Sequence, residues 1–252
     1  MRTFSNEEHN PCPAIRLWAP NTSFWRPECV RMCLCFGRVP FEDRRVSYKE
    51  LYSSGMVVFG TYPALEVNGR SINQTHAMAA FAGKLSGFYP SDPWQAAKVD
   101  EVFAALTDAT FCITKTQDMK NMESKSRLRA EMMCPGGRLH CLLSGLQSLL
   151  VQNGRIGLFA GAAVTVADLA VWRAIIWLCS GIVVGVDPEH LARSFPELVR
   201  LYRRIEALPN VQEWKLKHPD FYATPEARWK DWRPYPPASF LTEPTNPHLC
   251  GG

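Results

Sequence analysis

Residues 59–75 read Phe-Gly-Thr-Tyr-Pro-Ala-Leu-Glu-Val-Asn-Gly-Arg-Ser-Ile-Asn-Gln-Thr, and this stretch carries the clearest local structural signals in the chain. Two short runs, 64–67 and 70–72, flank the pair Asn68-Gly69, which is typical of a two-residue hairpin turn. The Ala-rich segment 74–85 follows and has the composition of a helix. The stretch therefore predicts two antiparallel strands followed by a helix.

Upstream of this unit the sequence alternates between strand and helix patterns. Apolar and polar residues alternate over 15–19, which indicates a short strand that ends at Pro20. Helical spacing over 26–36 with a glycine stop, and renewed alternation over 39–46, indicate a helix and then an edge strand. Together the signals predict an α/β domain of order β-α-β-β-β-α over residues 14–90.

Strand patterns disappear after residue 91, and helical ones take over. Apolar stripes run along 99–106 and 139–150, which predicts two amphipathic helices. Two further helices are predicted at capping boxes, one formed by Thr165 and Asp168 and one by Ser194 and Glu197. Residues 91–218 are thus expected to form an all-helical bundle, so the fold class is α/β followed by all-α.

The two ends of the chain fall outside this pattern. Residues 1–13 form an N-terminal extension without the apolar run of a signal peptide. Residues 219–252 form a tail that holds 7 of the 19 prolines. The stretch 166–186 is apolar enough to resemble a membrane span, but it contains Asp168 and Arg173, which favours a buried central helix.

Composition excludes several classes of function. Lys plus Arg (28) exceeds Asp plus Glu (24) by only four, with no basic run, so a nucleic-acid partner is not expected. The nine cysteines are scattered, which favours reduced thiols and a cytoplasmic protein. No His or Cys set has the spacing of a zinc site, so no metal is expected.

Three motifs in order resemble the cytosolic glutathione transferases: the stretch 59–67, the pair Gln74-Thr75, and the capping box that starts at Thr165. The likeness covers about residues 14–218 and has sigma-like features, such as Val99-Asp100. It implies a thioredoxin-like domain joined to a helical bundle. It also implies glutathione as a co-substrate instead of a bound cofactor, and a homodimer.

The resemblance also implies a glutathione site. The Tyr62-Pro63 turn resembles the family's cis-proline turn, whose backbone holds the cysteinyl unit. The start of the helix at Gln74 and Thr75 would take the γ-glutamyl carboxylate. Asp100 would reach the ligand of the neighbouring subunit. The full set expected to bind glutathione is Trp18, Arg26, Thr61, Tyr62, Pro63, Gln74, Thr75 and Asp100.

The tyrosine that many family members place near the end of the first strand is absent, because the first tyrosine here is Tyr48. Trp18 takes roughly its place but offers an indole N–H and no hydroxyl. The hydroxyls that remain are those of Ser23, which resembles the serine of serine-type classes, and of Thr22. Ser23 is the first candidate for the group that stabilises the thiolate and Thr22 the second, although either could simply be a helix N-cap.

The resemblance implies that the thiolate attacks a hydrophobic electrophile, or assists an isomerisation, in an apolar pocket. The residues expected to line that pocket are Trp18, Phe24, Phe103, Phe111, Phe221 and Tyr222. His76 is expected to be a surface or helix-packing residue and not a base. The missing tyrosine keeps a second hypothesis open, in which the chain is a catalytically weak relative with a ligand-binding or structural role. In neither case is a membrane partner expected.

Overall fold

The computed structural model describes residues 13–22 and 24–219 of the protein. The predicted N-terminal extension, apart from its last residue, lies outside this range. So do Ser23 and almost all of the predicted proline-rich tail, including Phe221 and Tyr222.

The N-terminal part of the described chain is an α/β unit built on one four-stranded sheet. The strand order is β2-β1-β3-β4, with β2 parallel to β1 and the other two pairs antiparallel. Its elements are β1 (Ile15–Ala19), α1 (Trp25–Phe36), β2 (Glu42–Arg45), α2 (Tyr48–Ser53), β3 (Ala64–Val67), β4 (Arg70–Asn73) and α3 (Thr75–Ser86).

The predicted hairpin is confirmed. Val67 pairs with Arg70, and the two residues between them, Asn68 and Gly69, have φ values of 50° and 78°. Two consecutive positive φ angles are what a tight hairpin turn of this type needs, and Asn-Gly is the pair that tolerates them best. The turn therefore fixes the register of β3 against β4 and, through it, the position where α3 begins.

The remaining elements are helices, which confirms the predicted fold class of an α/β part followed by an all-helical part. They are α4 (Pro93–Thr114), α5 (Met122–Met133), α6 (Arg138–Gln152), α7 (Val166–Leu178), α8 (Pro188–Ser194), α9 (Pro196–Glu206) and α10 (Pro209–Lys217).

Helix α7 is the buried central helix that the sequence predicts, and the capping box at its start is present. The backbone N–H and the hydroxyl of Thr165 each donate to the Asp168 carboxylate over 2.7 Å, and the Phe159 N–H donates to it over 2.9 Å. The helix ends at Leu178, well before residue 186. None of the described helices combines the length and the hydropathy that crossing a bilayer requires.

One local prediction is wrong, and another gives an element that is too long. The capping box of Ser194 and Glu197 does not form, because Ser194 is still the last residue of α8 and α9 starts at Pro196 after an uncapped Phe195. The Glu197 carboxylate instead contacts Arg155, 3.3 Å away. The strand expected over 39–46 is shorter, since only Glu42–Arg45 pairs with β1.

Two hydrogen bonds of α1 connect the α/β part of the chain to the helical part. The Trp25 indole N–H donates to the Thr110 hydroxyl of α4 over 3.0 Å. About one turn further along α1, the Trp214 indole N–H donates to the buried Glu28 carboxylate over 2.8 Å. These bonds hold the start of α1 opposite α4, and a cavity remains between the two parts.

Candidate functional site

The cavity between the α/β part and the helical part has a volume of about 480 Å³. Its first wall comes from the α/β part and consists of Phe24, Arg26, Tyr52, Gly60, Thr61, Tyr62, Pro63, Gln74 and Thr75. Its second wall comes from the helical part and consists of Thr107, Thr110, Phe111, Ile113, Thr114, Gln117, Met122, Lys125, Arg129, Trp177, Ile182, Val183 and Val184. Seven residues expected from the sequence thus share one wall, and Phe111 faces them from the other.

The centre of the first wall is the junction between β3 and α3. The Tyr62-Pro63 peptide bond is cis, and Pro63 leads directly into β3. At the other end of the hairpin, Gln74 has a φ of 70°, and its side chain makes no capping bond to α3. The first N–H groups of α3 are therefore left without a side-chain cap beside the cavity, an arrangement that suits an anion such as a carboxylate.

Arg26 supports this junction from α1. Its guanidinium lies 4.5 Å from the ring centre of Trp25, and one of its N–H groups donates to the Thr75 hydroxyl over 3.4 Å. Thr75 is itself buried. The arginine thus adds positive charge next to the uncapped helix start and braces the residue that begins the helix.

Aromatic and aliphatic side chains make up much of the second wall. Phe24 reaches across from the first wall, and its ring meets that of Trp177 edge to face with the centroids 5.2 Å apart. Within the described chain, the buried Trp177 indole N–H has no hydrogen-bond acceptor. Phe111 and Met122 are more than half exposed, so this wall offers apolar surface to a second molecule.

Two basic side chains of α5 interrupt the apolar surface. Lys125 donates to the Gln117 carbonyl over 2.9 Å, and Arg129 donates to the Thr116 hydroxyl over 2.7 Å. Only 5% of Arg129 is exposed, and this burial lowers the pKa of its guanidinium. The cavity is therefore amphipathic, with positive charge in both walls.

Trp18 and Phe103 do not line this cavity, contrary to expectation. Trp18 alternates onto the other face of β1, where its indole N–H donates to Glu66 over 2.9 Å and the Arg44 guanidinium covers its ring. Phe103 is buried in the bundle, and its ring stacks on that of His76 with 5.4 Å between centroids. Both side chains serve packing.

Of the two hydroxyl candidates, the described residues include only Thr22, and it does not line the cavity. Thr22 is absent from both walls, and its buried hydroxyl has no hydrogen-bond partner within the described part of the chain. Its carbonyl accepts from Arg31 over 3.3 Å, which draws the loop toward α1. Ser23 lies outside the described residues, as do Phe221 and Tyr222 from the expected pocket.

Asp100 also stands apart from the cavity, on α4. Its carboxylate accepts from the Tyr89 hydroxyl over 2.5 Å and lies 2.6 Å from His76 Nε2. The Asp100 side chain is 45% exposed, so it faces the surface of the protein. His76 packs between α3 and α4 through this bond and the Phe103 stack.

The thiols of the described residues do not contribute to the cavity. Cys29 and Cys33 are fully buried in α1, and burial raises the pKa of each thiol above its usual range. A raised pKa disfavours the reactive thiolate. The seven cysteines in the described ranges are unpaired with one another.

Most of the second wall was missed by the sequence reasoning. Lys125 and Arg129 lie in a charged segment that showed no apolar stripe, and Thr107 and Thr110 are polar residues of α4, the second of them buried on its apolar face. A signal existed for Ile182, Val183 and Val184, because the apolar run continues past the end of α7. That part of the run lines the cavity instead of lengthening the helix.

Comparisons with known proteins agree with the fold. The family model described as Glutathione S-transferase, C-terminal domain, matches residues 110–218. The chain is 27% identical over 196 residues to the hematopoietic prostaglandin D synthase of Gallus gallus, which covers 77% of this chain and 92% of that protein. It is likewise 27% identical over 205 residues to the probable glutathione S-transferase 9 of Caenorhabditis elegans, covering 76% and 91%.

A solved structure shows the same fold. The chain superimposes on a monomeric glutathione S-transferase of the hookworm Necator americanus with a TM-score of 0.67. Sequence identity is 20%, and the match covers 82% of this chain and 98% of that one.

Proposed function

Because this chain belongs to the cytosolic glutathione transferase family, we propose that the first wall of its cavity binds glutathione and that the bound thiol attacks an apolar electrophile held by the second wall. The observation that carries the proposal is the juxtaposition of the two walls. An uncapped helix start beside Arg26 faces an apolar surface across one cavity of about 480 Å³. An anionic peptide and an apolar molecule could occupy it together.

Glutathione would lie along the β3 and α3 junction. Its γ-glutamyl carboxylate would accept from the N–H groups at the start of α3, next to Gln74 and Thr75. Its cysteinyl unit would pair with the backbone at Thr61 and Tyr62, before Pro63. In this arrangement Arg26 stabilises the ligand through charge and through its bond to Thr75.

The thiolate needs a donor near the sulfur. We keep Ser23 as the first candidate and Thr22 as the second. The free thiol has a pKa of about 8.5–9, and a drop of about 2 units corresponds to about 2.7 kcal/mol of selective stabilisation of the anion. One charge-assisted hydrogen bond of about 1.5–3 kcal/mol supplies most of that.

Two reaction types suit this arrangement. In conjugation, the sulfur forms a bond to an electrophilic carbon and a leaving group departs or a proton is taken up. In isomerisation, the thiolate adds to the substrate and is released again, so that glutathione is regenerated. Relatives named prostaglandin D synthase make the second type worth testing beside the first.

The proposal is tested by retention on immobilised glutathione, followed by turnover of 1-chloro-2,4-dinitrobenzene, from which the sulfur displaces chloride. We expect retention that free glutathione elutes, and turnover that depends on enzyme concentration. A protein that passes through the column, and that gives no heat with glutathione in calorimetry, would refute the glutathione site.

The absence of the family's tyrosine favours an alternative function, in which the chain binds a ligand or has a structural role without catalysis. The first tyrosine of the chain is Tyr48, and in the described part of the loop between β1 and α1 no hydroxyl lines the cavity. Retention without turnover of any electrophile or isomerisation substrate would favour a protein that binds glutathione conjugates, or has a structural role, over an enzyme.

We also propose a homodimer, in which Asp100 approaches the glutathione of the neighbouring subunit. Its half-exposed carboxylate faces the surface formed by α3 and α4. The absolute mass in solution tests this assembly, and Asp100→Asn should weaken glutathione binding only if the mass is that of a dimer. A monomer that binds glutathione normally would remove this role from Asp100.

Thr75→Val is expected to weaken glutathione binding about tenfold, because it removes a buried hydroxyl at the helix start and the Arg26 contact while it keeps the side-chain shape. Titration calorimetry with glutathione measures the effect. Thr107→Val is the matched control, since it makes the same change in the opposite wall and should leave glutathione affinity within twofold. Equal losses in both variants would contradict the assignment of glutathione to the first wall.

A further inference from the structure

The charges that line the cavity are all of one sign within the described residues. Arg26 stands in the first wall, Lys125 and Arg129 stand in the second, and no carboxylate lines either wall. Arg26 is accounted for by the proposed glutathione site. A pocket that binds only neutral apolar molecules needs no basic residues. The proposed function therefore leaves the two basic residues of the second wall unexplained.

Met122, Lys125 and Arg129 form one stripe on α5, since they are spaced at three and then four residues. All three line the cavity. The stripe therefore presents an apolar side chain and two cations on the same face of the helix, next to the apolar segment 182–184.

Arg129 is a buried cation surrounded by neutral acceptors. Its Nε donates to the Thr116 hydroxyl over 2.7 Å, and its terminal N–H groups donate to the Ile113 and Val184 carbonyls, each over 3.4 Å. Among the residues that the structure describes, no carboxylate forms an ion pair with it. A buried charge without a counter-ion is costly, so an anion supplied by a ligand would stabilise it.

Lys125 lies one turn before Arg129 and is half-buried. Its ammonium group donates to the Gln117 carbonyl over 2.9 Å, which uses one of its three N–H donors. Within the described ranges it too lacks a carboxylate partner. Carbonyls near the end of α4 give both cations partial compensation, and a purely structural role as caps of α4 is the competing explanation.

We propose that the second wall takes a ligand with an apolar body and a carboxylate, and that Lys125 and Arg129 bind this carboxylate and determine specificity for such organic acids. The apolar body would lie against Phe111, Met122 and the segment 182–184. This inference rests on the proposed function, because it names the class of the second ligand in the same cavity.

The test compares decanoate with decan-1-ol, which share an alkyl chain and differ in charge, by titration calorimetry at pH 7.5. Lys125→Met is the test variant, because it removes a charge and leaves the Arg129 hydrogen bonds in place. Lys120→Met is the matched control. Lys120 is exposed, lies near the start of α5 and is absent from the walls of the cavity.

We expect the unchanged protein to bind decanoate at least as tightly as decan-1-ol. Lys125→Met should weaken decanoate binding about tenfold and change decan-1-ol binding less than twofold. Lys120→Met should change neither more than twofold. Equal effects of Lys125→Met on the two ligands, no effect on either, or an equal loss in Lys120→Met would each overturn the inference and leave Lys125 as a cap of α4.

Retention on immobilised glutathione is measured on the same preparations. Retention without discrimination between acid and alcohol would overturn this inference alone. Discrimination without retention would overturn the proposed function, and the acid would then be a ligand of the cavity and not a co-substrate.

Discussion

The Asp168→Ala variant is expected to unfold with a free energy about 3–5 kcal/mol below that of the unchanged protein. The carboxylate is fully buried and accepts the Thr165 N–H, the Thr165 hydroxyl and the Phe159 N–H. Alanine would leave two backbone donors buried without acceptors at the start of α7. Because α7 packs against α1, α4 and α9, the loss should spread beyond one helix.

Urea unfolding followed by far-ultraviolet circular dichroism measures this effect. A pH of 7.5 suits the experiment, because burial raises the pKa of Asp168 to about 6 and the carboxylate is mostly ionised above that value. Asp108→Ala is the control, since it removes an exposed carboxylate of α4 that lies 3.1 Å from Arg138. An exposed pair contributes at most about 1 kcal/mol. Similar losses in both variants would contradict the role given to the Asp168 network.

The parts of the fold that the sequence predicted correctly are those set by local chemistry. Asn68-Gly69 tolerates two positive φ angles, and the box of Thr165 and Asp168 closes over three residues, so neither depends on distant partners. The same rule also explains a missed element. Ser47 and Glu50 form a capping box at the start of α2. Their spacing indicates such a box in the sequence, but the helix was not predicted.

The capping box expected at Ser194 and Glu197 does not form because the preceding helix, α8, extends through Ser194. Asp187 caps α8 and Pro188 starts it, so Ser194 is already inside that helix when the motif would require it to be extended. Pro196 then starts α9, and the side chain of the residue before it makes no capping hydrogen bond. The motif has the right residue types, but the backbone at Ser194 is helical where a capping residue must be extended. Residue spacing alone does not reveal this conformation.

The candidate site also combines residues that are close in sequence with residues that only the tertiary fold brings together. Tyr62, Pro63, Gln74 and Thr75 lie close in sequence to one hairpin, and the resemblance to a known family pointed to them. The second wall joins Thr110, Lys125 and the segment 182–184, which come together only through the packing of three separate parts of the bundle. Placement of Trp18 in the cavity was wrong because alternation along β1 turns it to the opposite face.

Ser23→Ala is expected to lower kcat/KM for 1-chloro-2,4-dinitrobenzene about tenfold at pH 6.5. If the hydroxyl lowers the thiol pKa by about 2 units, its loss reduces the thiolate fraction at this pH about 100-fold. The more basic thiolate is a stronger nucleophile, with a Brønsted slope of about 0.4–0.5, and this returns up to about tenfold of the rate. The two effects leave a net loss.

The dependence on pH separates this role from a structural one. The loss should shrink as the pH rises and vanish at about pH 8, and at about pH 9 the variant, whose more basic thiolate is then largely formed, should be the faster of the two. A spectroscopic titration of the bound thiol near 240 nm should show the same shift in pKa. A uniform loss at all pH values would instead indicate a damaged loop.

Thr22→Val is the matched control for this experiment. The Thr22 hydroxyl is buried, has no hydrogen-bond partner in the part of the chain that the structure describes, and is absent from both walls of the cavity. Its removal should therefore leave the pH profile unchanged, because no thiolate would lose a donor. If Thr22→Val shifts the profile and Ser23→Ala does not, the second candidate is the donor. If neither does, no hydroxyl of this loop substitutes for the missing tyrosine.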